Sequence, residues 1–289
     1  MIVKELSENV HRVEIRAKYR RKDWEQWMLL LSDLHFDNPK CDRKLLFRHL
    51  DEAKRRNAPV FLNGDTLCLM QGKYDPRSNK SDILPQHNKK DYVDAVIEEC
   101  AELLAPYGDL ITVIGRGNHE QSILNRHETD VVRRLCLRLS EKAGRTIYPG
   151  GYGGYVNMQF IDGTSRSPVR IKYFHGSGGG GPVTKGTIKA NRMATYLPDA
   201  HIVTTGHVHE KWAIAYTQER ISDQGKITLS DQLHICTGTY KEEYGVGKGG
   251  WHVERGAPPK PTGGYWVRFT SDAIDSGNNR IKYSAMGAV

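Results

Sequence analysis

The sequence predicts an α/β fold, and two observations carry that prediction. Continuous apolar runs recur along the chain and stop abruptly at Asp, His or Asn, as strands buried on both faces do at a sheet edge. Helical patterns with apolar faces and capping residues lie between them. With 289 residues, 38% of them hydrophobic, the chain is long enough for one sizeable core. No internal repeat or linker divides it. We therefore expect a single domain over 1–289, with its motif-bearing core at 27–212 and further strands and a loop over 213–289.

Val13, Ile15, Ala17 and Tyr19 alternate with charged residues and predict a half-buried strand. The basic cluster Lys18–Lys22 then reads as a solvated hairpin turn. Met28–Leu31 is a fully apolar strand leading to Asp33 and His35. Side chains alternate along extended chain, so these two are expected to point the same way. Asp42 can cap a helix with Leu45, Leu46, His49, Leu50 and Ala53 on one face, where His49 is a packed core histidine rather than a ligand. Val60–Leu62 predicts the next strand and ends in Asn63-Gly64-Asp65. Polar Gln71–Lys90 reads as a functional or disordered loop.

A helix through Tyr92–Leu104 closes at Pro106 and Gly108, and the strand Leu110–Ile114 delivers Gly115-Arg116-Gly117-Asn118-His119-Glu120. Helical patterns at Asp130–Ala143 and Thr187–Leu197 flank two more strands, Val169–Phe174 ending in His175 and His201–Thr205 ending in Gly206-His207-Val208-His209. Pro149–Gly154 reads as a loop between strands. Trp212–Tyr216, Leu233–Thr237 and Tyr265–Phe269 predict closing strands, with an irregular loop over Gly245–Gly264. Five strands in succession thus deliver acid, amide or imidazole groups to the carboxyl edge, where open α/β sheets bind ligands.

Composition narrows the classes. No apolar run approaches membrane-spanning length, and Met1–Arg20 lacks the apolar stretch of a secretory signal, so a soluble cytoplasmic protein is expected, with no membrane partner. Cys41, Cys68, Cys100, Cys136 and Cys236 are an odd, widely spaced set without Cys-x-x-Cys, read as reduced and mostly buried thiols. A net charge of +8 tilts the partner choice toward polyanions such as nucleic acid, although lysines and arginines spread over the surface give the same total. The glycine run after His175 lacks a P-loop's lysine, because Pro182 stands in its place, and is read as a flexible rim. His87, His127, His234 and His252 carry no ligand spacing.

Asp33-x-His35, Gly64-Asp65, Gly117-Asn118-His119-Glu120, His175 and Gly206-His207-x-His209, in this order, resemble the motif set of the calcineurin-like metallophosphoesterases. The resemblance spans Asp33 to His209 and implies an αββα sandwich of two mixed sheets flanked by helices, with a dinuclear metal centre. It implies one cation on Asp33, His35, Asp65 and His209, and a second on Asp65, Asn118, His175 and His207, bridged by Asp65 and a hydroxide. It also makes His119 the group that protonates the leaving oxygen or steadies its charge. Two cations about 3.5–4 Å apart can clamp both the attacking and the leaving oxygen of a phosphoester. Mixed nitrogen and oxygen donors suit manganese, with iron, zinc or nickel as alternatives.

The chain departs from the protein Ser/Thr phosphatases of that superfamily, since Asp65 is followed by Thr-Leu-Cys rather than an Asp-Arg-Gly. Arg116 is a candidate substrate ligand or a surface ion pair, and Asp37 is the candidate carboxylate for orienting His119. The expected activity is phosphodiester or nucleic-acid hydrolysis. A phosphomonoesterase is the alternative, and a noncatalytic scaffold of the same fold a third.

Overall fold

The computed structural model describes residues 1–70, 82–245, 249–274 and 278–289. Strands β1 (Ile2–Ser7), β2 (Val10–Arg16), β7 (Gly153–Asp162), β8 (Ser165–Phe174), β9 (Ile202–Thr205), β10 (Trp212–Ile221) and β11 (Ile227–Cys236) form a seven-stranded sheet. Its order is β1-β2-β7-β8-β9-β11-β10. Strands β3 (Glu25–Leu31), β4 (Val60–Asn63), β5 (Ile111–Gly115), β6 (Tyr148–Pro149), β12 (Tyr265–Ile274) and β13 (Asn278–Gly287) form a six-stranded sheet ordered β13-β12-β3-β4-β5-β6. Both sheets are mixed: β3, β4, β5 and β6 run parallel, as do β8, β9 and β11, while β12 pairs antiparallel with β3 and β10 with β11.

The strand period sorts the apolar residues into layers. Met28, Leu30, Phe61 and Val113 meet Met158, Phe160, Ile171, Ile202 and Ile235 in one cluster between the sheets. On the opposite face Leu29, Leu31, Val60, Leu62 and Ile114 pack on helices α1 (Arg43–Arg55), α2 (Tyr92–Leu104) and α4 (Val131–Ala143). Helix α5 (Thr187–Tyr196) lies outside the other sheet, where Met193 and Leu197 cover Val203 and Phe174. This is the two-sheet, helix-flanked α/β arrangement expected.

Local chemistry sets the helices. Asp42 accepts from the Leu45 amide at 3.0 Å and starts α1, whose inner face is Leu46, His49, Leu50 and Ala53. Asp130 caps α4 through the Arg133 amide at 3.0 Å, and Gly144 ends it in the left-handed conformation. The cysteines are free, and all but Cys41 are fully buried. Among the described residues no helix is long and apolar enough to cross a membrane.

Several expectations are corrected. Lys18–Lys22 is not a hairpin turn, because β2 and β3 belong to different sheets and the segment crosses between them. Strands β1, β6, β7 and β13 and helix α3 (Asn118–His127) were not anticipated, and the Pro149–Gly154 loop is bounded by strand residues of β6 and β7. Within Gly245–Gly264, 246–248 lie outside the described residues and Trp251–Glu254 form a one-turn helix, α6. Within the Gln71–Lys90 loop, 71–81 lie outside the described residues, and Pro85–His87 is a short 3-10 turn.

His49 and His234, 3% and 1% exposed, are core histidines on Tyr240 Oη at 2.7 Å and Gln232 Oε1 at 2.8 Å. Burial pushes both down to about 4. The unfolded chain, titrating near 6.5, binds more protons than the folded one below that pH. Their stabilisation is therefore full above pH 6.5 and lost as pH falls toward 4. Thermal melts at pH 8 and pH 5 should differ by about 2–4 kcal/mol from this pair. An equally steep acid loss in a His49→Gln/His234→Gln variant would assign the effect elsewhere.

Candidate metal centre

The candidate ligands converge where both sheets end. Asp33, Asp65 and Asn118 follow β3, β4 and β5 of one sheet, while His175, His207 and His209 follow β8 and β9 of the other. Two groups form: Asp33, His35 and His209, and Asp65, His175 and His207, the donor atoms of each group lying within 4.8 Å of one another. In the first, His209 Nε2 stands 3.2 Å from Asp33 Oδ1 and 3.3 Å from His35 Nε2. In the second, His175 Nε2 is 3.3 Å from Asp65 Oδ2 and 3.2 Å from Asn118 Oδ1, and His207 Nδ1 is 2.7 Å from the same Asn118 oxygen. The seven residues singled out from the sequence are thus gathered in one pocket.

They do not get there by strand alternation. Strand β3 ends at Leu31, and Asp33 and His35 lie beyond it with φ of +53° and +47°. Asp65, His207 and His209 are also left-handed, at +48°, +69° and +55°, so five of the seven candidate ligands hold a conformation that L-residues disfavour. Each such residue costs about 1–3 kcal/mol, and such outliers cluster at ligand clamps. The strain is over-determined by bonds around it. The Asp33 carbonyl accepts from Thr239 Oγ1 at 2.9 Å and the Tyr240 amide at 3.0 Å, and its carboxylate accepts from Ser32 Oγ and from the His207 amide at 2.9 Å. Gly64 is required twice over: its φ is +83°, and a Cβ there would stand 2.6 Å from both the Gly117 amide nitrogen and His175 Nδ1.

Charge in this buried volume is arranged for cations. Burial opposes ionisation of Asp65, yet His175 and His119 beside it hold its carboxyl well below the usual range. Asp33 is likewise lowered, burial being outweighed by His209 and then His175. His35 is driven well down by burial and by His119. His175 donates from Nδ1 to the Asn63 carbonyl at 2.7 Å, which leaves the Nε2 lone pair facing the oxygens of Asp65 and Asn118. Three lone-pair donors aimed at one another need a positive charge between them. A proton serves, and although burial opposes it, Asp65 raises His175 to about 10. A divalent cation meets the same need, and the donor set fits one.

His119, at the start of α3, directs Nδ1 to the Cys68 carbonyl at 2.6 Å, and its Nε2 lies 3.8 Å from Asp65 Oδ2. The orienting partner is therefore a backbone carbonyl and not Asp37. The Asp37 carboxylate is engaged by the Cys68 amide at 2.5 Å, the Leu69 amide at 3.0 Å and Tyr92 Oη at 2.8 Å. Arg116 pairs with Asp130 at the head of α4 and reaches Gln121 Oε1 at 3.4 Å, so of its two readings the geometry shows the ion pair.

Two residues had been passed over. Glu120, 1% exposed, accepts from the amides of Gly117 at 2.8 Å, Leu67 at 2.9 Å and Asp65 at 3.1 Å, pinning two ligand loops together. Burial and then Asp65 push its carboxyl up to about 7. Its signal was a carboxylate three residues after the glycine that opens a helix, half of a capping box. Cys68 joins His35 and His119 in a third group within 4.8 Å, but burial raises its thiol and Asn38 Nδ2 contacts the sulfur at 3.5 Å. Nothing in the spacing marked it.

The arrangement is that of a buried carboxylate–imidazole centre suited to divalent cations. No family model and no curated protein matches the chain. Among solved structures it is similar to the zinc complex of Vps29 from Entamoeba histolytica, at 11% identity, covering 91% of this chain and 100% of that one, with a TM-score of 0.38. It is also similar to GAP50 of Plasmodium (12%, 91% and 85%, 0.43). A third is a protein described as a predicted phosphoesterase from Streptococcus pneumoniae TIGR4 (12%, 90% and 99%, 0.33).

Proposed function

We propose that this protein is a metal-dependent phosphoester hydrolase of the calcineurin-like metallophosphoesterase type, acting on phosphodiesters of nucleotides or nucleic acid. The observation that carries it is the pair of donor groups, Asp33/His35/His209 and Asp65/His175/His207 with Asn118, gathered where two sheets end, all buried except half-buried His207 and Asn118. Asp65 lies in the second group, and its Oδ1 accepts from the His119 amide at 3.0 Å, so it joins the metal ligands to the proposed acid. Those residues would hold two divalent cations, which would supply an activated water and offset the phosphate charge.

The protein's own groups supply the rest. A carbonyl can only accept, so the contact to Cys68 places a hydrogen on His119 Nδ1. Nε2 is then the atom that gives up or takes a proton, and as an imidazolium His119 donates it to the leaving oxygen. His207 Nδ1 and His175 Nε2 flank Asn118 Oδ1, the one neutral oxygen donor of the set, at 2.7 and 3.2 Å, where all three would share one cation. The net charge of +8 supports a polyanionic substrate over a neutral one.

The test is hydrolysis of bis-p-nitrophenyl phosphate against p-nitrophenyl phosphate, with single- and double-stranded oligonucleotides, in manganese. Diester preference is expected, and preference for the monoester with inert oligonucleotides selects a phosphomonoesterase instead. His119→Asn should lower kcat by about 10²–10⁴-fold with bound metal unchanged. Lost metal in that variant would make His119 a ligand.

A further inference from the structure

Two ligand loops of the six-stranded sheet stay paired beyond their strands. The amides of Asp33, His35 and Phe36 donate to the carbonyls of Gly64, Asp65 and Thr66 at 3.1, 3.0 and 2.9 Å. One residue further on, a side chain takes over from the main chain. The Asp37 carboxylate accepts from the Cys68 amide on Oδ1 at 2.5 Å and from the Leu69 amide on Oδ2 at 3.0 Å. Tyr92 Oη, at the start of α2, donates to the same Oδ2 at 2.8 Å.

The Leu69 amide links Asp37 to the site. The Leu69 N–H and the Cys68 C=O belong to one peptide group, and that carbonyl is the acceptor for His119 Nδ1 at 2.6 Å. The peptide is trans, so its N–H and C=O point opposite ways, with the carboxylate on one side and the imidazole on the other. Asp37, Cys68 and Leu69 are all buried. Leu69 holds a left-handed φ of +47°, which a leucine adopts only when its surroundings impose it, and the bonds from Asp37 do so. Hydrogen bonds in series polarise one another, and those to a charged group are the stronger ones. A carboxylate on the N–H side therefore makes the carbonyl a better acceptor for Nδ1–H. The bond at one ring nitrogen sets the tautomer of a histidine and the direction of the other nitrogen.

Resting on the hydrolase reading above, we propose that Asp37 is a positioning residue for His119, acting through the Cys68–Leu69 peptide and itself held by Tyr92. It keeps the hydrogen on Nδ1 and the ring turned so that Nε2, 3.8 Å from Asp65 Oδ2, faces the metal centre. The competing role is plain pairing of two loops, which makes no use of His119.

Nitrogen-15 NMR of the full chain in chelator reads this without catalysis, the His119 ring being assigned by its absence in His119→Asn. Nδ1 should carry its hydrogen in the wild type and share it with Nε2 in Asp37→Asn. In manganese, Asp37→Asn should lower kcat on bis-p-nitrophenyl phosphate by about 10–100-fold, as loss of an outer partner does, with KM and bound metal unchanged. Added to His119→Asn it should cost nothing more, because the group it positions is gone. Tyr92→Phe keeps both amide bonds and should act in the same direction more weakly. It carries the test if circular dichroism shows Asp37→Asn unfolded. An Nδ1 signal that Asp37→Asn leaves unchanged, equal losses with and without His119, or lost metal overturns the proposal. The NMR change without any hydrolysis leaves the relay standing and removes the hydrolase reading; hydrolysis that Asp37→Asn leaves at the wild-type rate does the reverse.

Discussion

Asp65→Asn is expected to cut metal-dependent hydrolysis of bis-p-nitrophenyl phosphate by about a thousandfold or more, on the scale of losing a central charge-stabilising group. The substitution keeps size and one acceptor oxygen, so the bond from the His119 amide to Oδ1 can persist. What disappears is the negative charge that faces His175 at 3.3 Å and His119 at 3.8 Å. Asparagine also tolerates the left-handed backbone at this position, where φ is +48°, better than alanine does. Initial rates and metal content by mass spectrometry should therefore fall together, while the melting curve of the metal-free protein moves little. Full activity would remove Asp65 from the centre.

Glu120→Ala should produce the largest loss of folding stability outside the hydrophobic core, about 3–5 kcal/mol, the range for breaking a buried charged network. Its two oxygens take the amides of Asp65, Leu67 and Gly117, and alanine leaves all three buried without an acceptor. The repulsion that Asp65 exerts on Glu120 is relieved at the same time, which moderates the loss without reversing it. Glu120→Gln keeps one acceptor oxygen and should fall between. Urea unfolding reads the difference, and a loss below about 1 kcal/mol for the alanine variant would show that the loops hold without this carboxylate.

Much of this was legible because burial on both faces writes a continuous apolar run. Met28–Leu31, Val60–Leu62 and Ile111–Ile114 are such runs, and each leads into a ligand. Helices α1 and α4 announced themselves through Asp42 and Asp130. Strand β13 did not, since it pairs only with β12 at a sheet edge and carries Asn, Arg and Lys. Strand β7 does carry a legible pattern: Val156, Met158 and Phe160 alternate with Asn157 and Gln159, which face away from the core. Helix α3 begins on the motif itself, so its first residues read as ligands before they read as a helix.

The ligands were visible, but how they are presented was not. Left-handed φ has no sequence mark beyond a preference for Asn, Asp, His and Gly, so Asp33 and His35 looked like the end of a strand when they form the turns beyond it. Distances such as Asp33 to His209 join residues far apart in the chain, which no local spacing encodes. The role of the Cys68 carbonyl was hidden for a different reason: a backbone oxygen carries no side-chain signature at all.

Because Asp33, Asp65 and Asn118 descend from one sheet and His175, His207 and His209 from the other, any ion seated among them is a rivet through both leaves. The chemistry and the architecture then share a fastening. Sliding one leaf against the other would part the two donor sets before it exposed the apolar layer between them.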